Sequence, residues 1–195
     1  MNNTFALSAA TALILSASSV LAADNSAGGV INFSGAITDT TCTINGGKSA
    51  DFTVALNPIT VTEAGTKTGL IDKNKKTISL TFSDCAPAAK VADTPLTIRF
   101  SSADNISTDG NYLQNTTVNE NDQAVARNVG FAIAKSGTNT ALPLNKPFVT
   151  DIKGNKTNPA EPETLALDIY YYKTNAQPAK VGSLSSNVTY TISYL

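Results

Sequence analysis

The residues able to do covalent or acid–base chemistry are few in this chain, and the missing types decide more than the present ones. His and Trp are absent, and Met occurs once, at position 1. Without imidazole there is no Ser-His-Asp or Cys-His nucleophile, no His-ligated zinc and no side-chain proton shuttle tuned to neutral pH. The two cysteines, Cys42 and Cys85, are too few for a structural zinc without His, and neither belongs to a C-x-x-C. Paired carboxylates could hydrolyse a glycoside only if folding joined two of the 15 acidic residues, and most of these lie in turn-like segments. Asn119-Glu120-Asn121-Asp122 offers oxygen ligands but lacks the spacing and central Gly of a calcium loop. Tyr170-Tyr171-Tyr172 could stack on a sugar ring, but the expected arrangement is one buried Tyr with its two neighbours on a wet face. The chain reads as a non-enzyme with no metal and no cofactor.

Charge excludes another class. Lys plus Arg (14) nearly cancels Asp plus Glu (15), with no basic stripe, so nucleic acid is not an expected partner. Residues 1–22 read as an export signal: an apolar stretch from Phe5 to Leu15, a Ser-rich run, then Val20-Leu21-Ala22 before the cut. That stretch is too diluted by Ser and Thr for a spanning helix. In an exported chain the first reading of Cys42 and Cys85 is a disulfide. It would close a loop of about 43 residues, stabilising the fold by roughly 4 kcal/mol. The sequons at Asn105, Asn115, Asn155 and Asn187 read as plain polar loops. Asp72-Lys73-Asn74-Lys75-Lys76 reads as a solvated turn.

The elements that hold these residues are strands. Apolar side chains alternate by two at Ile78-Leu80-Phe82, Leu96-Ile98-Phe100, Val129-Phe131-Ile133, Leu165-Leu167-Ile169-Tyr171 and Val188-Tyr190-Ile192-Tyr194. Such alternation marks strands with one buried and one wet face. Phe52-Val54-Leu56 makes a shorter run before Pro58, and Ile59-Thr60-Val61 is expected to resume as an edge strand. Between them lie turn residues and two polar stretches, Ser101 to Arg127 and Gly154 to Glu163. About seven short strands predict an all-β, immunoglobulin-like sandwich.

The two ends pose a matched problem. Gly29, Ile31, Phe33, Gly35 and Ile37 share one face of a strand about 30 Å long. Gly35 leaves room there for close approach of another backbone. At the other end, Gly182, Leu184, Ser186, Val188, Tyr190, Ile192 and Tyr194 alternate to the penultimate residue, predicting one long apolar strand with an uncovered edge. Such an edge is an association hazard.

Gly35-Ala36-Ile37-Thr38-Asp39-Thr40-Thr41-Cys42 resembles the glycine-to-first-cysteine segment of chaperone–usher fimbrial subunits. Gly182, with Tyr194 penultimate, resembles their C-terminal assembly motif. Gly29-Val30-Ile31-Asn32-Phe33 and Leu56 to Glu63 are similar to major shaft pilins of the type 1 and type 3 kinds. The uncharged Met1-Asn2-Asn3-Thr4 and the long middle from Ser101 to Arg127 depart from the pattern. The resemblance implies a sandwich lacking its last strand and completed by donor strand exchange. The signal would be 1–22, the donor extension 23–36 and the incomplete pilin domain 37–195. Gly29, Ile31, Phe33, Gly35 and Ile37 would be donor residues; Gly182, Leu184, Val188, Tyr190, Ile192 and Tyr194 would line the acceptor groove, which also receives the chaperone. The implied partners are further copies of itself, a periplasmic chaperone, an outer-membrane usher, and a host glycan or abiotic surface. The implied location is the periplasm, then a surface fimbria that supports adhesion and biofilm formation. A minor or adaptor subunit and a secreted carbohydrate-binding adhesin are the alternatives.

Overall fold

A computed structural model describes residues 41–47, 51–86, 95–116, 124–153 and 162–194. The chain divides into two compact units, Met1–Phe33 and Ser34–Leu195, and every described residue lies in the second. Seven strands are described: β1 (Thr41–Ile44), β2 (Gly69–Ala86), β3 (Pro95–Ser101), β4 (Val129–Lys135), β5 (Phe148–Lys153), β6 (Glu163–Lys173) and β7 (Thr189–Tyr194). They form a four-stranded sheet in the order β1-β2-β6-β4 and a three-stranded sheet in the order β5-β3-β7. All ladder pairings are antiparallel. No described helix is long and apolar enough to cross a membrane.

The alternating rows meet between the sheets. Leu80, Phe82, Leu165, Leu167, Ile169 and Ile133 come from one sheet, and Leu96, Ile98, Phe100, Ile152 and Ile192 from the other, in one apolar cluster. Each fully buried aliphatic or Phe side chain contributes about 1.5–3 kcal/mol, so this shared core holds the sandwich together.

Four expectations need correction. The charged run at 72–76 is not a turn between strands, because β2 runs through it for 18 residues. Ile71 pairs with Tyr171 but Lys76 pairs with Ile169, so β2 absorbs the extra residues as a bulge. Asn74 supplies the left-handed backbone there (φ 58°) and donates to the Pro58 carbonyl at 2.8 Å.

The predicted edge strand at 59–61 is replaced by a one-turn helix, α1 (Val61–Ala64). Thr60 Oγ1 accepts from the Glu63 amide, and the Glu63 carboxylate accepts from the Thr60 amide. This reciprocal cap satisfies main-chain donors that a helix start would otherwise leave unbonded.

The tyrosine run is inverted. Tyr171 is half-buried on the core-facing row and stacks with Phe131 at 5.6 Å, whereas Tyr170 and Tyr172 on the opposite face are buried. Tyr112 stacks on Tyr172 at 4.9 Å, and the Tyr170 hydroxyl donates to the Thr138 carbonyl. Loops therefore cover a face that alternation alone marks as wet. The polar stretch after Ser101 contributes to this cover, with Leu113 in the core and bridged to Phe131 of β4.

The C-terminal strand is shorter than expected. Its ladder to β3 ends at Ser101 opposite Thr189, and residues 182–188 form no strand. Beyond that point β3 has run out, and the chain turns to other anchors.

Candidate functional site

The described part of the C-terminal row begins at a point of close contact. Gly182 lies against the loop at 124–126, where a Cβ would collide with the main chain of Val125 and Ala126. The next residues are tied to the same region. The Ser183 amide donates to the Ala124 carbonyl (2.7 Å), and the Ala126 amide donates to the Ser183 carbonyl (3.0 Å). The Thr116 amide donates to the Ser185 carbonyl (2.8 Å), and the Ser185 amide donates to Asn115 Oδ1 (3.1 Å). The odd-numbered positions hold this segment in place, and the even-numbered ones carry its apolar side chains.

Those even positions turn toward the core. Ile192 is buried in the central cluster, Val188 and Tyr190 pack against it half-buried, and Leu184 is half-buried. The Tyr190 ring stands 6.2 Å from that of Phe52, a residue 47% exposed despite its size. Burial, with the negative charge of Asp51, raises the Tyr190 hydroxyl above its ordinary pKa. Val54 and Leu56, on the same irregular segment as Phe52, also pack against the core. Tyr194 pairs through its main chain with Leu96, and its side chain lies outside the described residues.

The edge itself is the main feature. β7 pairs with β3 on one side, and no described strand pairs with its other side. It is an apolar strand at a sheet margin, whose side chains already reach the core. At the other margin of this sheet, β5 is blunted by Asp151, which pairs with Lys135 of β4. The contrast is physical: one margin carries an exposed ion pair to the opposite sheet, and the other is apolar.

Ser186 belongs to the alternating row but not to the expected acceptor residues. Its Oγ is buried and is the only such side-chain atom among the described residues with no hydrogen-bond partner. An unbonded buried hydroxyl costs about 1–3 kcal/mol. Its parity gave it away, but a hydroxyl in an apolar row has no sequence signature of its own. The contacts made by Phe52, Asn115 and Thr116 join residues distant in sequence and left no local signal.

The expected donor residues Gly29, Ile31, Phe33, Gly35 and Ile37, and the signal at 1–22, lie outside the described residues. Cys42 is disulfide-bonded. It sits at a register shift where Thr41 pairs with Ala86 and Thr43 with Ser83, which places it across from Asp84 and Cys85 on β2.

Other polar clusters are closed. Buried Asp168 accepts from Thr77 Oγ1 at 2.7 Å and lies 3.9 Å from the Lys75 ammonium. Burial pushes its pKa up, but hydrogen bonds from Thr77, Ser136 and the Gly137 amide, with the Lys75 charge, together hold it below the ordinary value. Fully buried Lys173 donates to the carbonyls of Asn175 and Gln177, and burial lowers its pKa. Both clusters pin loops to β6. Among the described residues, no three Cys, Asp or Glu side chains are grouped to hold a metal.

The fold has known counterparts. The family model described as fimbrial protein matches residues 31–195. A chaperone–usher pilus structure reported for the basis of rod uncoiling aligns with TM-score 0.54 at 15% identity, covering 87% of this chain and 97% of that one. The P pilus rod subunit PapA aligns with TM-score 0.53 at 13% identity, covering 79% and 99%. A search of the curated proteins finds no match. With a family model spanning most of its length and a sandwich shared with pilus rod subunits, this chain belongs to the fimbrial protein family.

Proposed function

We propose that this protein is a structural subunit of a chaperone–usher pilus, building the shaft by giving its N-terminal strand to the β7 edge of the next copy. The observation that carries this reading is the apolar margin of β7, unpaired among the described strands while Val188, Tyr190 and Ile192 pack into the core beside it. A strand added there gains a ladder of main-chain bonds, and its alternate side chains enter the sandwich. Each added bond contributes roughly 0.5–1.5 kcal/mol net. Burial of Ile31, Phe33 and Ile37 adds about 1.5–3 kcal/mol each. The resulting contact is long-lived.

In this reading residues 1–22 direct export and are removed, and a periplasmic chaperone covers the β7 edge until an outer-membrane usher exchanges it for 23–36 of the next subunit. Cys85 is the partner of Cys42, as the only other cysteine in the chain. The polymer stands on the cell surface and supports adhesion and biofilm formation. Deleting Ala23 to Ser34 tests the assignment: with chaperone present, the truncated subunit is expected to fold and be recovered as a chaperone complex, yet add no further copy. Filaments made from the truncated subunit alone would refute it.

A further inference from the structure

We infer that Asn115 is a positioning residue for assembly: its carboxamide stands in for a neighbouring strand where β3 has ended and holds residues 183–185 extended, so that the edge offered to a second copy continues past Thr189. The inference rests on the donor-strand reading above and adds to it what keeps the far half of the acceptor edge in line.

The edge needs such support. β3 stops opposite Thr189. Yet the ten residues 28–37, laid anywhere within the thirteen positions from Gly182 to Tyr194, must cover 185–188. Two strands paired only with each other are marginal in water. A donor lying along an otherwise unsupported 182–188 would therefore fray from that end.

The chain leaving β3 supplies the support on the flank that β3 itself occupies farther along. It first meets Asn187, whose carbonyl accepts from Asn105 Nδ2 at 3.1 Å. Asn115 then takes over with one side chain. Its Nδ2 donates to the Ser183 carbonyl at 2.9 Å and to the Ala126 carbonyl at 3.3 Å, and its Oδ1 accepts from the Ser185 amide at 3.1 Å. A carboxamide carries donor and acceptor together, as a peptide group does, so it meets every second residue as a strand would. The main-chain groups of Leu184 and Ser186, between these positions, are directed to the opposite, open flank. Asn115 is 8% exposed, so water competes little for its bonds. It is also moored at its base. Two residues earlier, Leu113 exchanges both main-chain bonds with Phe131 of β4, at 2.7 and 3.0 Å. The far half of the acceptor is thus tied through Asn115 to β4, a strand of the opposite sheet.

The test uses the mature chain, an isotope-labelled synthetic peptide of residues 28–37, and the variants Asn115→Ala, Asn115→Asp and Asn74→Ala. Asp keeps the shape and the acceptor for the Ser185 amide, but it sets a carboxylate against the two carbonyls. Asn74→Ala, at the β2 bulge in the other sheet, controls for general loss of stability. The peptide is expected to leave both Asn115 variants about three- to tenfold faster than the unmodified chain, and Asn74→Ala within about twofold. Hydrogen exchange of the bound peptide's amides, followed by NMR, is expected to quicken at one end only, the end along 183–188. Should Asn115→Ala fail to fold, Asn115→Ser, which can keep one of the three bonds, takes its place in the same comparison. Unchanged release from the Asn115 variants, equal acceleration in Asn74→Ala, or protection lost evenly along the peptide would each overturn the positioning role while leaving the donor reading intact. An unmodified chain that never takes up the peptide would defeat the donor reading and this inference together.

Discussion

At the scale of single residues, the C-terminal row is shaped as much by what is absent as by what packs. Gly182 is there because the main chain of Val125 and Ala126 occupies the space a side chain would need. That contact fixes where residues 183–185 hang, and so where the even-numbered side chains enter the core. Gly182→Ala must push two backbone segments apart, and overpacking of this kind costs about 1–3 kcal/mol. The expected outcome is a lower urea midpoint for the subunit and, because the acceptor row shifts, faster release of a bound donor peptide. An unchanged midpoint would show that the loop at 124–126 yields freely.

At the scale of elements, β2 and the segment before it show how one irregularity is held by another. The bulge between Ile71 and Lys76 needs one residue in the left-handed region, and Asn74 takes it. The same side chain donates to the carbonyls of Asn57 and Pro58, tying the bulge to the irregular chain that leads into α1. Lys73 adds an ion pair to Glu63 at 3.3 Å, exposed enough to contribute little. Asn74→Ala loses the bonds and strains the backbone, with an expected loss of about 1–2 kcal/mol. Asn74→Gly keeps the backbone conformation and loses only the bonds, so its urea midpoint should fall between those of the parent and the Ala variant. A Gly variant no better than Ala would show that the side-chain bonds alone matter.

At the scale of the whole molecule, the two flanks of the sandwich differ in character, and among the described strands nothing pairs with the outer side of β7. Lys135 of β4 and Asp151 of β5 join the two sheets at one flank. The margin of β7 carries the apolar counterpart, and the proposed polymer follows from filling it. If residues 29–37 alternate into that cleft, Phe33 faces the core and Asn32 faces away. Phe33→Asp then places a carboxylate in an apolar site, whereas Asn32→Asp leaves it in water. Phe33→Asp should abolish filaments seen by electron microscopy, and Asn32→Asp should leave them close to normal in number. Equal losses would count against this alternation, and the reverse order would mean that the register is wrong by one residue.

The class of protein and most of its core are legible in the chain alone, because the period of two is a local signal that survives any arrangement of the strands. Leu80, Phe82, Leu96, Ile98, Phe100, Leu165, Leu167, Ile169 and Ile192 are all in the core their parity predicts. The missing His likewise excluded whole chemistries before any coordinates were needed. At 59–61 the β-branched residues suggested an edge strand, and the capped helical turn found there was not foreseen. Contacts across long separations are set by the folded chain: loops over Tyr170 and Tyr172, Phe52 beside Tyr190, and the anchors of Ser183 and Ser185. Burial of a nominally wet face depends on which distant segment folds over it, and periodicity carries no information about that. For the same reason the end of β7 and the isolation of the Ser186 hydroxyl could not be read from the chain, since each is set by a neighbour far away in sequence.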